Sequence, residues 1–437
     1  MKNIIRHTPS LFWNFIEQGV NVGISRLVLF PIVAHVVGKD EFGLFATTLS
    51  FVLIVGYQPA MGLATGLLRN LASYEDKKQD QLNTTAFLMC HKFLLYFLGS
   101  LLLLLVGIMF FGIIGLKTYL CLTFLGISLY AENELILLLT SLRYKRQFRE
   151  HAQWYIGSSL CVLTLGLIGL YTAGIAGVAF GIMTANFFVY GLAVKKYFKA
   201  NTGYNVVQAR MLRWIWIHSA IAGMLILAGP HLNRIVLRMY WDNESVADLF
   251  AAAGIAHVFV FPITNSSRLL LSMISKYKTI NQLSSKLIKM LFAMMVGASI
   301  IGMVFFIFGS PLLLKLLFPG FGDRASKLFD ILVWMIPATI TISFVRPFIT
   351  KFANIAWMPR INLAVLSVTI TMMFSLIPHW GLEGAAWSIA SGNIFSALLQ
   401  TVIFLIIYTR AKKALNTGSI SEQMEIASNN NYTAEEI

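Results

Sequence analysis

The sequence predicts an all-α integral membrane protein of about 12 transmembrane helices in two pseudo-symmetric six-helix lobes. Three observations predict it. Of the 437 residues, 57% are hydrophobic and only 12% charged, more apolar material than one soluble core can bury. Apolar runs long enough to cross about 30 Å of hydrocarbon recur along the chain. Finally, Gly174-Ile-Ala-Gly177-Val-Ala179-Phe180 through Asn186-Phe-Phe188 returns 207 residues later as Gly381-Leu-Glu-Gly384-Ala-Ala386-Trp387 through Asn393-Ile-Phe395. Each copy ends its half and opens an apolar run, so the repeated unit is a set of membrane helices.

Taken in order, the spans are expected near 11–36, 42–68, 92–115, 118–142, 153–172, 174–194, 214–240, 247–275, 288–309, 328–350, 361–378 and 384–408. The first holds Glu17 and Arg26 and is followed by no small-residue cleavage pattern, so it reads as a retained helix rather than a signal peptide. The opening pair of each lobe corresponds. Ser25-Arg26-Leu-Val-Leu matches Asn233-Arg234-Ile-Val-Leu, Phe42-Gly-Leu-Phe-Ala46 matches Ala247-Asp-Leu-Phe-Ala251, and Pro59 aligns with Pro262. An even number of helices per half makes both halves enter from the same side, related by an axis along the membrane normal. The expected division is a lobe at 1–200, a linker at 201–213, a second lobe at 214–412 and a tail at 413–437. That tail is rich in Asn, Ser and Glu and too poor in apolar residues to form a core, so it reads as disordered.

Charge gives an orientation, because Lys and Arg in short loops tend to remain cytoplasmic. With the N-terminus inside, 24 of the 34 basic residues face the cytoplasm, five face outward (Lys39, Lys117, Lys315, Arg324, Lys327) and five lie within helices. Both termini are then cytoplasmic. The net charge of +15 follows from this topology and from attraction to anionic membrane lipids, with no call for nucleic acid. Cys90, Cys121 and Cys161 lie on separate helices without a pairing or metal-ligand pattern, and read as packing residues. His218, His231 and His257 fall in helices, where packing is the plainer reading than titration. Trp13, Trp154, Trp214, Trp216, Trp241 and Trp380 mark helix ends, as in an interfacial belt.

An arginine-bearing first helix, then Gly38-Lys-Asp-Glu-Phe-Gly43-Leu-Phe, then Gly-x-x-Gly-x-Ala at the entry to helices six and twelve resembles the polysaccharide-transporter branch of the multidrug/oligosaccharidyl-lipid/polysaccharide (MOP) flippase superfamily. Within it the Wzx-type flippases of O-antigen and related glycans are the nearest likeness. The likeness covers about residues 1–412 and rests on layout plus short motifs. It implies a MATE/MOP-like fold, a bacterial inner membrane, and an undecaprenyl-pyrophosphate-linked oligosaccharide (an O-antigen, capsule or exopolysaccharide unit) carried outward by alternating access. It further implies delivery to a glycan polymerase and chain-length machinery. Murein-precursor flippases share the architecture but usually carry two further helices.

The residues supply matching chemistry, since a diphosphate crosses hydrocarbon only if buried cations replace its water, and arginine's planar fork suits phosphate oxygens. The candidates are Arg26, with Gly19 and Gly23 leaving room beside it; Arg268, after Pro262 and a polar stretch; Arg234, in Gly229-Pro-His-Leu-Asn-Arg; Arg238, one turn further on the same face; and Arg346, before Pro347. Each has a plainer use, as partner of a helix-four glutamate or as a side chain reaching for headgroups. The interior acids Glu17, Glu132 and Glu134 either neutralise arginines or bind a coupling H+ or Na+; no other cofactor is expected. No phosphate-binding loop of the Gly-x-x-x-x-Gly-Lys-Ser/Thr type occurs, so transport runs downhill or on an ion gradient. No acid, base and nucleophile form a catalytic constellation, which argues against a membrane enzyme such as a polymerase. A cation-coupled drug exporter of the same superfamily is the main rival.

Overall fold

The computed structural model describes residues 12–13, 16–17, 19–20, 23–56, 60, 63–64, 81, 84–95, 97–99, 101, 115–145, 147–198, 206–274, 277, 280–283, 285–353 and 357–416. Every regular element among them is helical, as hydrocarbon requires of a chain whose backbone must satisfy its own hydrogen bonds. A π-helical turn, Gly23–Leu29, runs into α1, Phe30–Gly56. After an apolar helical stretch at Thr84–Gly99 come α2 (Leu116–Tyr144), α3 (Phe148–Tyr197), α4 (Val206–Tyr240), α5 (Asn243–Ile274), α6 (Ser285–Leu317), α7 (Gly322–Leu332), α8 (Met335–Phe352) and α9 (Trp357–Asn416).

Among the described residues, five helices are long and apolar enough to cross a membrane, or six if α7 and α8, bent by 45°, form one span. Two of these are double. Helices α3 and α9 have 50 and 60 residues, on the order of 75–90 Å of helix against a hydrocarbon core of about 30 Å. Each breaks at the glycine that the repeat marks, Gly174 (φ 59°, ψ −139°) in α3 and Gly381 (φ 53°, ψ −122°) in α9. This left-handed backbone strains any side-chain-bearing residue. The second glycine of each copy has its own reason: a Cβ on Gly177 would lie 1.9 Å from the Gly169 carbonyl oxygen, and one on Gly384 would lie 2.4 Å from that of Leu376. Both are the same eight-residue step back across the bend. Helix α1 breaks likewise at Gly38 (φ 80°), between the first and second expected spans.

Several boundaries differ from expectation, and all for one reason: helices continue past the hydrocarbon into polar sequence. Helix begins by Thr84, not 92, which brings His91 into a helix. Helix α4 begins at Val206, inside the expected linker. Helix α6 continues through Pro311 to Leu317, leaving a much shorter connection than the expected 310–327. The tail beyond Asn416 lies outside the described residues.

Buried residues show how the halves meet. At the end that carries Gly38, one continuous core draws on both halves, with Phe42, Phe45, Val246, Phe250, Phe318 and Phe321 buried together. The matched pieces of the repeat face each other there, the Phe42 and Phe250 rings meeting edge to face at 5.4 Å. At the opposite end, which carries Arg143, the described residues form separate cores. One gathers Cys90, Leu135, Leu139 and Val189 of the first half, joined by Ala209 and Leu212 from the start of α4. The other gathers Ile274, Ile288, Phe348 and Phe404 of the second half. The halves share one core at the Gly38 end, whereas at the Arg143 end the described cores are separate and only the start of α4 packs against the first half.

Candidate functional site

The contact between the halves is built first by α4. Asn233 turns toward its own half, donating from Nδ2 to the Ala385 carbonyl (2.9 Å) and the Ser388 hydroxyl (3.1 Å) of α9. The next residue, Arg234, turns the other way. It is 7% exposed, donates from Nη1 to Ser50 Oγ of α1 at 3.1 Å, and lies 4.4 Å over the Phe250 ring. A buried guanidinium thus stands on the surface where the two halves meet.

The other predicted arginines separate by depth. Arg346 is half-buried between α8 and α9, its Nε 3.5 Å from Gln400 Oε1, and Gln400 in turn donates to Ser396 at 2.9 Å. Arg238 is exposed and caps its own helix through the Trp241 carbonyl at 3.1 Å, so the helical face it shares with Arg234 ends at the molecular surface. The side chains of Arg26 and Arg268 lie outside the described residues.

The interior acids that the sequence singled out belong to the first half. Glu17 is buried and receives Arg143 Nη2 at 3.0 Å and His151 Nδ1 at 2.7 Å. Glu134 is fully buried against His91, with Tyr130 beside it. Glu132, two residues away, occupies a different face of α2. Sequence reasoning placed Arg143 in a loop and passed over His151 and His91; only the i, i+4 pair Tyr130 and Glu134 was visible as a shared helical face. Among the described residues no group of three His, Cys, Asp or Glu side chains could hold a metal ion.

The Gly38 end is fastened by polar contacts that the sequence did not disclose. Lys39 pairs with buried Asp248 of α5 at 3.3 Å and lies 4.9 Å over the Phe321 ring. Asn243 donates to Asp40 Oδ1 at 2.9 Å. At Gly43 the backbones nearly touch, a Cβ there falling 1.8 Å from the Asn243 carbonyl oxygen. Asp242 starts α5 by accepting the Ser245 N–H at 2.7 Å, and the Ser245 hydroxyl and N–H together hold its carboxyl below the usual range. The two halves are therefore held together at this end by both shape and charge, with a buried arginine behind the contact.

No family model and no curated protein matches the chain. Solved structures match over nearly its whole length. A MOP superfamily transporter from Pyrococcus furiosus, described as having a binding pocket of reverse polarity, aligns at 12% identity over 93% of this chain and 96% of its own (TM-score 0.69). The lipid II flippase MurJ in an inward closed conformation aligns at 15% over 96% of each chain (0.67). A Vibrio cholerae MATE transporter aligns at 16% over 95% and 99% (0.66). Taken with the glycine breaks and the apolar spans, these likenesses establish an all-helical membrane protein with the fold of the MOP superfamily transporters.

Proposed function

We propose that the protein is a flippase that carries an undecaprenyl-pyrophosphate-linked oligosaccharide from the cytoplasmic to the periplasmic leaflet of a bacterial inner membrane. The observation that carries the reading is Arg234, a guanidinium buried on the contact between the halves. Parting of the halves at the Gly38 end would take Ser50 away from it and uncover it toward the pathway, where a pyrophosphate could replace that hydroxyl as its partner. Arg26, Arg268 and Arg346 supply further cations along the way, and Arg238 meets the cargo at the mouth. With both termini cytoplasmic, the Gly38 end faces the periplasm, so this conformation is closed outward and ready to load from inside. The lipid II flippase MurJ shares the fold, as does a transporter described as having a binding pocket of reverse polarity, and both likenesses support the reading.

Buried Glu17 and Glu134 favour a second reading, a cation-coupled drug exporter. Purified protein in liposomes decides between them. A fluorescent glycan-pyrophosphate lipid is placed on one leaflet and followed to the other, beside a cationic dye. Movement of the lipid, abolished in Arg234→Ala and partly retained in Arg234→Lys, is the expected result. Movement of the dye alone would refute the flippase, and full activity in the alanine variant would remove Arg234 from the pathway.

A further inference from the structure

Inside the first half, two oxygens compete for one nitrogen. His91 places Nδ1 3.2 Å from Oε1 of Glu134 and 2.8 Å from the hydroxyl of Tyr130. Glu134 and Tyr130 stand one turn apart on a single face of α2. Tyr190 of α3 completes the group, its hydroxyl bonded to that of Tyr130 and the two rings edge to face at 6.1 Å. The Glu134 side chain is fully buried while that of His91 is 34% exposed, so the imidazole is the outward-reaching member of the pair. Glu134 Oε2 has no hydrogen-bond partner among the described residues.

The nitrogen cannot serve both oxygens alike. If Nδ1 carries a hydrogen it donates to an ionised Glu134 and has nothing to accept from Tyr130. If it carries a lone pair it accepts from Tyr130, and Glu134 then has no donor among the described residues at either oxygen. An ionised carboxylate without donors in an apolar core is costly, so in that arrangement Glu134 holds a proton itself. Two hydrogen-bond patterns, one proton apart, fit the same heavy atoms.

We infer that Glu134 is a proton-binding site and that His91 is the group through which its proton enters and leaves. In the loading step a proton from water is taken at Nε2 of neutral His91, and the Nδ1 proton passes to Glu134 Oε1. Tyr130 then donates to the vacated Nδ1. One proton is gained, the imidazole is neutral before and after, and its N–H has moved from Nδ1 to Nε2; the reverse sequence releases the proton. A metal cation demands several oxygen ligands, whereas this group offers one carboxylate.

Among the described residues the titratable groups facing Glu134 are Cys90 and His91 of the Thr84–Gly99 stretch, Tyr130 on its own helix and Tyr190 of α3. From α1, the charged residues Lys39, Asp40 and Glu41 lie at the other end of α2, where Glu41 pairs with Lys117. The Glu17, Arg143 and His151 cluster lies beyond, at the last turn of α2 and the first of α3. That the proton resets transport rests on the function proposed above; its binding does not.

Infrared difference spectra of the full-length protein in lipid nanodiscs, titrated from about pH 5 to about pH 9, read the carboxylic acid C=O band directly. The expected result is a titrating band that is absent in Glu134→Gln and unchanged when sodium replaces choline. His91→Phe removes the donor to the ionised form, so the midpoint rises by about one pH unit or more. Tyr130→Phe removes the donor that favours the protonated form, so it falls. Absence of a Glu134 band, a band erased by sodium, or an unmoved midpoint in both ring variants would overturn the site. In liposomes, loss of the response to a pH gradient in Glu134→Gln, with downhill lipid movement retained, supports coupling. Wild-type movement indifferent to the gradient would overturn coupling, while movement of no glycan lipid would refute the flippase and leave the proton site standing.

Discussion

Replacing Gly43 with alanine tests the closed end most directly. The added Cβ would lie 1.8 Å from the Asn243 carbonyl oxygen and 2.5 Å from its carbon, whereas ordinary contact begins at 3.4 Å. The backbones must part by about 1.6 Å, and neither can yield by changing a rotamer, because both obstructing atoms are main chain. Overpacking costs about 1–3 kcal/mol, and an obstruction without a flexible partner belongs at the upper end. About 3 kcal/mol weights the equilibrium against the closed arrangement by roughly two orders of magnitude. Each half keeps most of its own core, so the variant should insert and melt much as the parent does. The assay uses Val246→Cys, a fully buried position in the joint core, in a background without the three native cysteines, and follows its reaction with a membrane-impermeant maleimide. Gly43→Ala should raise the rate by about a hundredfold, while Gly191→Ala, where a Cβ meets nothing within 4 Å, should leave it unchanged. Equal rates in the parent and Gly43→Ala would refute the claim that this backbone contact holds the end shut.

The remaining tests bear on the charged closure, the repeat and a helix cap. Lys39→Met strands the carboxylate of fully buried Asp248, and because the lysine is partly exposed the cost is about 2 kcal/mol; maleimide labelling at Val246→Cys should rise about thirtyfold and return most of the way when Asp248→Asn is added. Gly381→Ala should lower the melting temperature more than Gly174→Ala. Both meet the same left-handed strain of about 1–2 kcal/mol, but at Gly381 the Cβ would also fall 2.7 Å from the Trp241 ring, against 3.9 Å from Glu41 at Gly174. Asp242→Ala removes the N-cap of α5 and should destabilise by about 1 kcal/mol at neutral pH. Because folding depresses the Asp242 pKa, its contribution is present above the unfolded value of about 4 and is lost as pH falls through the lower folded value; melting curves of the two forms should therefore converge in acid.

Most of the helical architecture was legible in the sequence because hydrocarbon leaves few choices: apolar length sets a span, and a glycine that recurs at the same place in both halves marks an obligatory turn. Gly174 and Gly381 are the clearest case, since the repeat singled them out and the backbone explains both. Pairings were not legible. Glu17 and Arg143 are 126 residues apart and Lys39 and Asp248 are 209 apart; no local period joins them, so their meeting is decided by helix packing. Depth was hidden as well. Arg234 and Arg238 share a helical face, yet one is buried against the other half and the other reaches the surface, because α4 ends between them and open space. His91 was missed for a related reason: its flanking polar residues resemble a loop, though the helix simply continues past the apolar stretch.

The repeat carries one more consequence, in the places where its two copies differ. The segment at 42–46 meets its match at 247–251, and in a symmetric identical pair the same residue would face itself. Here Gly43 aligns with Asp248. The first is bare enough for the Asn243 backbone to seat against it, and the second carries the buried charge that Lys39 answers. One copy supplies shape and the other charge. A symmetric pair could not do this: two aspartates would hold the backbones apart, and two glycines would leave Lys39 without its partner. Buried charge is uneven as well, with Glu17 and Glu134 inside the first half, while Asp248 and Arg234 of the second lie at the contact itself. The two sides of the joint fit each other because the matched segments differ at Gly43 and Asp248.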